Sequence, residues 1–121
     1  MSKLFKYTFI DLTDAGEVLV ATFKQASILD QNIIDQIGRE LEQAGLEAAG
    51  NRKLLLNFQT IEFMSSAMLG KLVQLQKRCK ADKIKLKLCH IAKNPLEVFQ
   101  ITRLDKLFDI HKDLTTALAA F

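Results

Sequence analysis

Apolar residues recur along this chain with two different periods. Between Gln31 and Ala49, Ile33, Ile34, Ile37, Leu41, Ala44 and Ala48 return at steps of three and four, while Gln36, Arg39, Glu40 and Gln43 occupy the other side. That spacing predicts an amphipathic helix with one face against a core. Asp30 or Asn32 is placed to accept a backbone N–H at its start, and Gly50 suits its end. A second helix is predicted after Phe63-Met64-Ser65-Ser66: Leu69, Leu72, Val73, Gln76 and Cys79 share a face, with Lys71, Gln74, Lys77, Arg78 and Lys80 outside.

Other segments read as strands. Leu4–Leu12 and Val18–Phe23 are rich in β-branched and aromatic residues, and Thr13-Asp14-Ala15-Gly16 between them supplies turn formers, so a β-hairpin is expected. Leu54-Leu55-Leu56-Asn57-Phe58 is apolar on both faces, as an inner parallel strand must be. Ile84-Lys85-Leu86-Lys87-Leu88 alternates, predicting a strand with one buried face and a basic outer edge. Asn94-Pro95 signals the start of a short helix running to about Thr102, since proline at the first helical position gives up a donor that would have no partner. Phe108-Asp109-Ile110 reads as a brief strand, and Lys112–Phe121 as a closing helix.

The order is ββαβαβαβα. Its strand–helix–strand units require right-handed crossovers and a mixed, mostly parallel sheet, with an N-terminal hairpin and helices packed against it. One α/β domain over residues 1–121 is expected, with Leu54, Leu56, Leu69, Leu72, Val73, Ile34, Ile37 and Leu41 buried together.

Composition narrows the function classes. With 49% hydrophobic and 26% charged residues, the chain has an ordinary globular balance, and no apolar run approaches the roughly 20 residues that span a bilayer. The opening Met1-Ser2-Lys3-Leu4-Phe5-Lys6-Tyr7 lacks an apolar signal region, so a cytoplasmic location without membrane insertion is the expectation. Cys79 and Cys89 stand outside any C-x-x-C or Cys/His cluster and read as buried reduced thiols. The net charge of +3 is modest. Lys77, Arg78, Lys80, Lys83, Lys85 and Lys87 divide between a helix, a loop and a strand with no aromatic residue among them, which describes a solvated face better than a nucleic-acid site.

The remaining chemistry centres on Ser65 and Ser66, where an inner strand hands over to the second helix, the edge at which open α/β sheets meet ligands and partners. Ser66 is outside a G-x-S-x-G elbow, and neither His90 nor His111 has a spacing that assigns it as a base. No glycine-rich phosphate loop and no metal-ligand cluster appears. The reading is therefore a protein without catalysis, cofactor or metal. Ser65 or Ser66 is also a natural N-cap, as is Asp30.

Phe63-Met64-Ser65-Ser66-Ala67-Met68-Leu69-Gly70 resembles the signature of the STAS domain of anti-sigma factor antagonists, in which an aspartate, a phosphorylatable serine, a second hydroxyl residue, glycine, leucine and glycine follow an apolar pair. Ser66 falls on the phosphorylated serine, and Leu69 and Gly70 match the last two positions. Leu29-Asp30 resembles the family's leucine–aspartate pair before the first helix, and Val98-Phe99 with Leu107-Phe108 fits its C-terminal part. Ser65 departs from the aspartate, Ala67 from the hydroxyl residue and Met68 from the first glycine.

The resemblance implies a regulatory binding protein that, unphosphorylated, binds a histidine-kinase-like ATPase acting as both serine kinase and anti-sigma factor, and that lets go when phosphorylated at Ser66, with Ser65 as the alternative acceptor. A PP2C-type phosphatase would reverse the switch. The implied docking residues are Asp30, Ser65, Ser66, Met68 and Lys71. The alternative within the same family is a scaffold module in a signalling assembly, without a phospho-switch.

Overall fold

A computed structural model of the chain describes residues 3–51 and 53–121. Its order is β1 (Lys3–Lys6), β2 (Ile10–Ala15), β3 (Val18–Phe23), β4 (Ser27–Ile28), α1 (Gln31–Asn51), β5 (Lys53–Asn57), β6 (Phe63–Met64), α2 (Ala67–Ala81), β7 (Lys85–Cys89), α3 (Lys93–Ile101), β8 (Asp109–His111) and α4 (Leu114–Ala119). Six strands form one sheet in the order β1-β2-β3-β5-β7-β8. The first three are antiparallel and the rest parallel, the mixed sheet expected. The short strands β4 and β6 pair in parallel as a second, two-stranded sheet.

Alternation along β5 sorts the core. Leu54 and Leu56 point to the side covered by α1 and α2, where Ile34, Ile37, Leu41, Leu69, Leu72 and Leu75 are buried with them. Leu55 points the other way, into a smaller cluster with Val18, Val20, Cys89 and Ala117, roofed by α4. A strand with all three leucines inaccessible has no solvated face, which is why its sequence is continuously apolar. Phe23, Phe58, Phe99 and Phe108 continue the main core as a chain of tilted and edge-on rings with centroids 5.0–6.2 Å apart, an arrangement favoured by the ring quadrupoles.

Several local expectations shift. The first long strand is two strands, and Thr13–Ala15 belong to the β2–β3 ladder, so only Gly16 and Glu17 form the turn. Gly16 takes φ +69 there, a conformation open to glycine without strain. Strand β7 lies between β5 and β8, so Lys87 does not mark a sheet edge, while Lys85, beyond the end of the β8 pairing, is exposed. Lys87 instead pairs with Asp109 on β8 and lies 5.2 Å from the centroid of the Phe121 ring. In α2, Leu75 takes the fully buried place assigned to Val73 and Gln76, and both of those are half-buried. Helices α2 and α3 end without glycine: Lys83 (φ 58) and Arg103 (φ 61) adopt the left-handed conformation, and the following N–H groups return to Cys79 and Phe99 carbonyls.

Glu40, assigned to the polar side of the first helix, is 4% exposed. Its Oε1 accepts from the N–H groups of Phe9 (2.9 Å) and Ile10 (3.3 Å), and its Oε2 from the Gln36 amide (2.9 Å). The carboxylate thus stands in for a strand partner at the start of β2, tying α1 to the sheet. Both cysteines are buried free thiols, as expected, and burial pushes each up to about 11.

Two stability measurements follow from this packing. Leu56→Ala should destabilise the domain by about 2–5 kcal/mol in chemical denaturation; a loss below about 1 kcal/mol would place Leu56 outside the core. Glu40→Ala, which strands the Phe9 and Ile10 donors, should lose about 1–3 kcal/mol, and Glu40→Gln, which keeps an acceptor oxygen, less. Equal losses for the two would mean that Glu40 contributes through its negative charge, since glutamine keeps the stem and an acceptor oxygen.

Candidate functional site

The pairing of β4 with β6 builds the site. Ser27 stands opposite Phe63 and Ile28 opposite Met64; the inner pair, Ile28 and Met64, is buried, and the outer pair is exposed. Two further bonds fix β6: the Ser65 N–H donates to the Ile28 carbonyl (3.0 Å), and the Met64 N–H to Asn94 Oδ1 on α3 (3.2 Å). The two chains then leave side by side, Leu29-Asp30 into α1 and Ser65-Ser66 into α2. Asp30, Ser65 and Ser66 therefore come together on one edge of the molecule. Sequence reasoning missed the part played by Asn94, whose side chain looked like no more than a helix-start signal.

The two helix entrances differ. Asp30 Oδ1 accepts from the N–H groups of Asn32 (2.8 Å) and Ile33 (3.2 Å), so α1 is capped by a side chain. Ser66 makes no cap bond and already has helical dihedrals, φ −63 and ψ −24. The first amides of α2 turn back onto main-chain oxygens instead, Met68 N to Ser65 O (3.1 Å) and Leu69 N to Ser66 O (3.0 Å). No acidic residue lies in the first turn, so nothing there offsets the positive end of the helix dipole. The Ser66 side chain is exposed, while Ser65 Oγ is enclosed without a hydrogen-bond partner.

Two residues assigned to docking have other employment. Met68 is fully buried in the main core, so its side chain is not at the surface; the long thioether in place of the signature's glycine packs inward. Lys71 bridges to Asp35 on α1 at 3.3 Å. Its stem lies over Gly38, where an added Cβ would come within 2.7 Å of Lys71 Cδ, so this lysine acts as packing between α1 and α2. A hydrogen bond from the Gln31 amide, with the Lys71 ammonium beside it, holds the Asp35 carboxyl below its ordinary value. Leu29, beside Asp30, is 60% exposed, and Phe63 is 50% exposed.

Neither histidine serves the serines. His90, at φ 56, accepts from the Leu114 N–H at the start of α4 (3.2 Å), and His111 Nε2 lies 2.9 Å from Asp109. Burial pushes the Asp109 carboxyl up, but Lys87 and His111 together draw it below its usual value. Among the described residues no group of histidine, cysteine and carboxylate side chains is arranged to hold a metal, and no described helix is long and apolar enough to cross a membrane. The basic cluster is partly spent within the fold, Arg78 on Asp82 and Lys87 on Asp109.

A strand-to-helix turn leading out of the two-stranded β4–β6 sheet, with an uncapped serine at its mouth, coincides with a family match: the sequence profile of the STAS domain covers residues 12–117. The chain belongs to the STAS domain family. No curated protein sequence matches it, but its fold recurs in solved STAS structures. An anti-sigma factor antagonist domain from Planctomyces limnophilus is 25% identical, with a TM-score of 0.79 over 92% of this chain and 96% of that one. A Thermotoga maritima protein assigned as an anti-sigma factor antagonist is 17% identical, with a TM-score of 0.78 over 92% of each. SpoIIAA in its unphosphorylated form is 18% identical, with a TM-score of 0.68 over 85% of this STAS domain and 88% of SpoIIAA. The last two show likeness of fold alone.

The unequal entrances set a direct comparison. Asp30→Ala should destabilise the domain by about 1 kcal/mol through loss of the α1 cap, whereas Ser66→Ala should change stability by less than about 0.5 kcal/mol. Equal losses in thermal or chemical denaturation would show that Ser66 caps α2 after all.

Proposed function

We propose that this STAS domain is an anti-sigma factor antagonist-like regulatory protein whose binding is switched by phosphorylation of Ser66. The observation that carries the reading is the free, exposed hydroxyl of Ser66 at an uncapped helix entrance. A serine that capped α2 would be explained by stability; this one performs no such task, and it coincides with the signature's phosphorylated position. The enclosed Oγ of Ser65 argues against the alternative acceptor.

The physical consequences of a phosphate fit a switch. It would meet the positive end of α2 and leave the fold intact. It would also add about 1.5 to 2 negative charges beside the Asp30 carboxylate and the exposed Leu29. Lys71, in the second turn of α2, is already held by Asp35, so that cation is not free to neutralise the new charge. A partner packed over Leu29 and Ser66 would then have to desolvate a dianion, and release is the favoured outcome.

The partner this reading requires is a protein that is both serine kinase and anti-sigma factor, of the histidine-kinase-like ATPase type, with a PP2C-type phosphatase restoring the unphosphorylated state. SpoIIAA, an anti-sigma factor antagonist solved in both unphosphorylated and phosphorylated forms, supports the analogy. The chain would act by binding and not by catalysis, in the cytoplasm where sigma factors work.

The test is binding of the kinase partner to three forms of the protein. Ser66→Asp should fold normally and bind at least about tenfold more weakly, equivalent to about 1.4 kcal/mol. Ser66→Ala should bind like the unmodified protein and remain bound when ATP is added. If the wild type and both variants bind equally with and without ATP, the domain is a scaffold and the switch is wrong.

A further inference from the structure

Beside the serine turn lies a groove of about 380 Å³ between β6 and the start of α3, lined by Glu62, Phe63, Ala92, Lys93, Asn94 and Glu97. Its walls are held together: Asn94 Oδ1 accepts from the Met64 N–H, the residue after Phe63, and the Glu62 and Phe63 N–H groups both donate to the Ala26 carbonyl, at 2.7 and 3.1 Å. The main chain of one wall is therefore tied to α3 and to the Ala26 carbonyl.

Its chemistry selects an occupant. The Phe63 ring is half exposed, an unusual state for an aromatic residue in a buried-outward alternation. Leu29, the residue that follows β4, is exposed as well. Both carboxylates of the groove, Glu62 and Glu97, are exposed, and among the described residues neither forms an ion pair. Lys93 supplies one positive charge against these two, leaving the rim one negative charge in excess. An aromatic face flanked by unpaired carboxylates suits a planar cation, which stacks on the ring and offers a fork of donors to an oxygen pair. Arginine has that geometry, and the compact ammonium of lysine does not.

We infer that this groove receives an arginine side chain of the protein that docks over Ser66. The inference rests on the proposed function only for the identity of that protein. Arginine anchors seated in aromatic-lined pockets are common centres of binding energy. The groove would thus supply affinity that phosphorylation does not touch, while Ser66 supplies the switch.

The experiment uses the whole domain and a defined probe, acetyl-Leu-Arg-Leu-amide, followed by amide NMR, with the same peptide carrying citrulline as the uncharged isostere. The arginine peptide should shift the Phe63, Lys93 and Glu97 amides saturably at about millimolar concentration, and citrulline should weaken binding at least about fivefold. The double variant Glu62→Gln, Glu97→Gln, at exposed positions where folding is retained, should lose a similar factor. Equal affinity for the two peptides would make the groove merely apolar, and shifts located elsewhere or none at all would empty it; each result overturns the inference. The probe involves neither kinase nor phosphate. A failed switch therefore leaves a positive result standing, and a failed groove leaves the switch standing.

Discussion

Burial of β5 on both faces is the constraint from which the rest descends. With Leu54, Leu55 and Leu56 inaccessible, the strand must sit between two parallel neighbours and between two layers of helix. The chain can only leave it at one edge of the sheet, and there it forms the short ladder of β6 with β4 before entering α2. That ladder brings two strand-to-helix turns to the same place, so Leu29-Asp30 and Ser65-Ser66 share an edge as a consequence of core packing. An edge built this way is positioned by a fully buried strand.

At that edge the two helices use opposite means to begin. The Asp30 carboxylate satisfies the first amides of α1, and its conformation is spent on doing so. Main-chain oxygens satisfy those of α2, which releases the Ser66 hydroxyl from any structural duty. The contrast separates two roles that sequence alone leaves entangled, because aspartate and serine are both good N-caps. A change at the Ser66 hydroxyl would break no side-chain cap bond of α2.

Much of this was legible in the residue pattern because strong periodicity reflects burial. The helices α1 and α2, the inner strand β5 and the mixed sheet were all readable for that reason. What escaped was whatever depends on partners distant in sequence. Glu40 falls on the polar arc of α1 but is drawn inside by the Phe9 and Ile10 amides. The two-residue strands β4 and β6 are too short to carry a period. Lys83 and Arg103 end helices where glycine, the usual signal, is missing. At the site, the signature located Ser66 but could not show that Met68 turns into the core or that Lys71 is engaged with Asp35. Those outcomes are set by packing between α1 and α2.

The central claim is that Ser66, and not its neighbour, is the residue this surface exposes for modification. Mass-spectrometric location of phosphate, after incubation of the unmodified protein with its kinase partner and ATP, tests it most directly. Phosphate on Ser66 with Ser65 unmodified is the predicted result; phosphate on Ser65, or on neither serine while the partner remains bound, would contradict it.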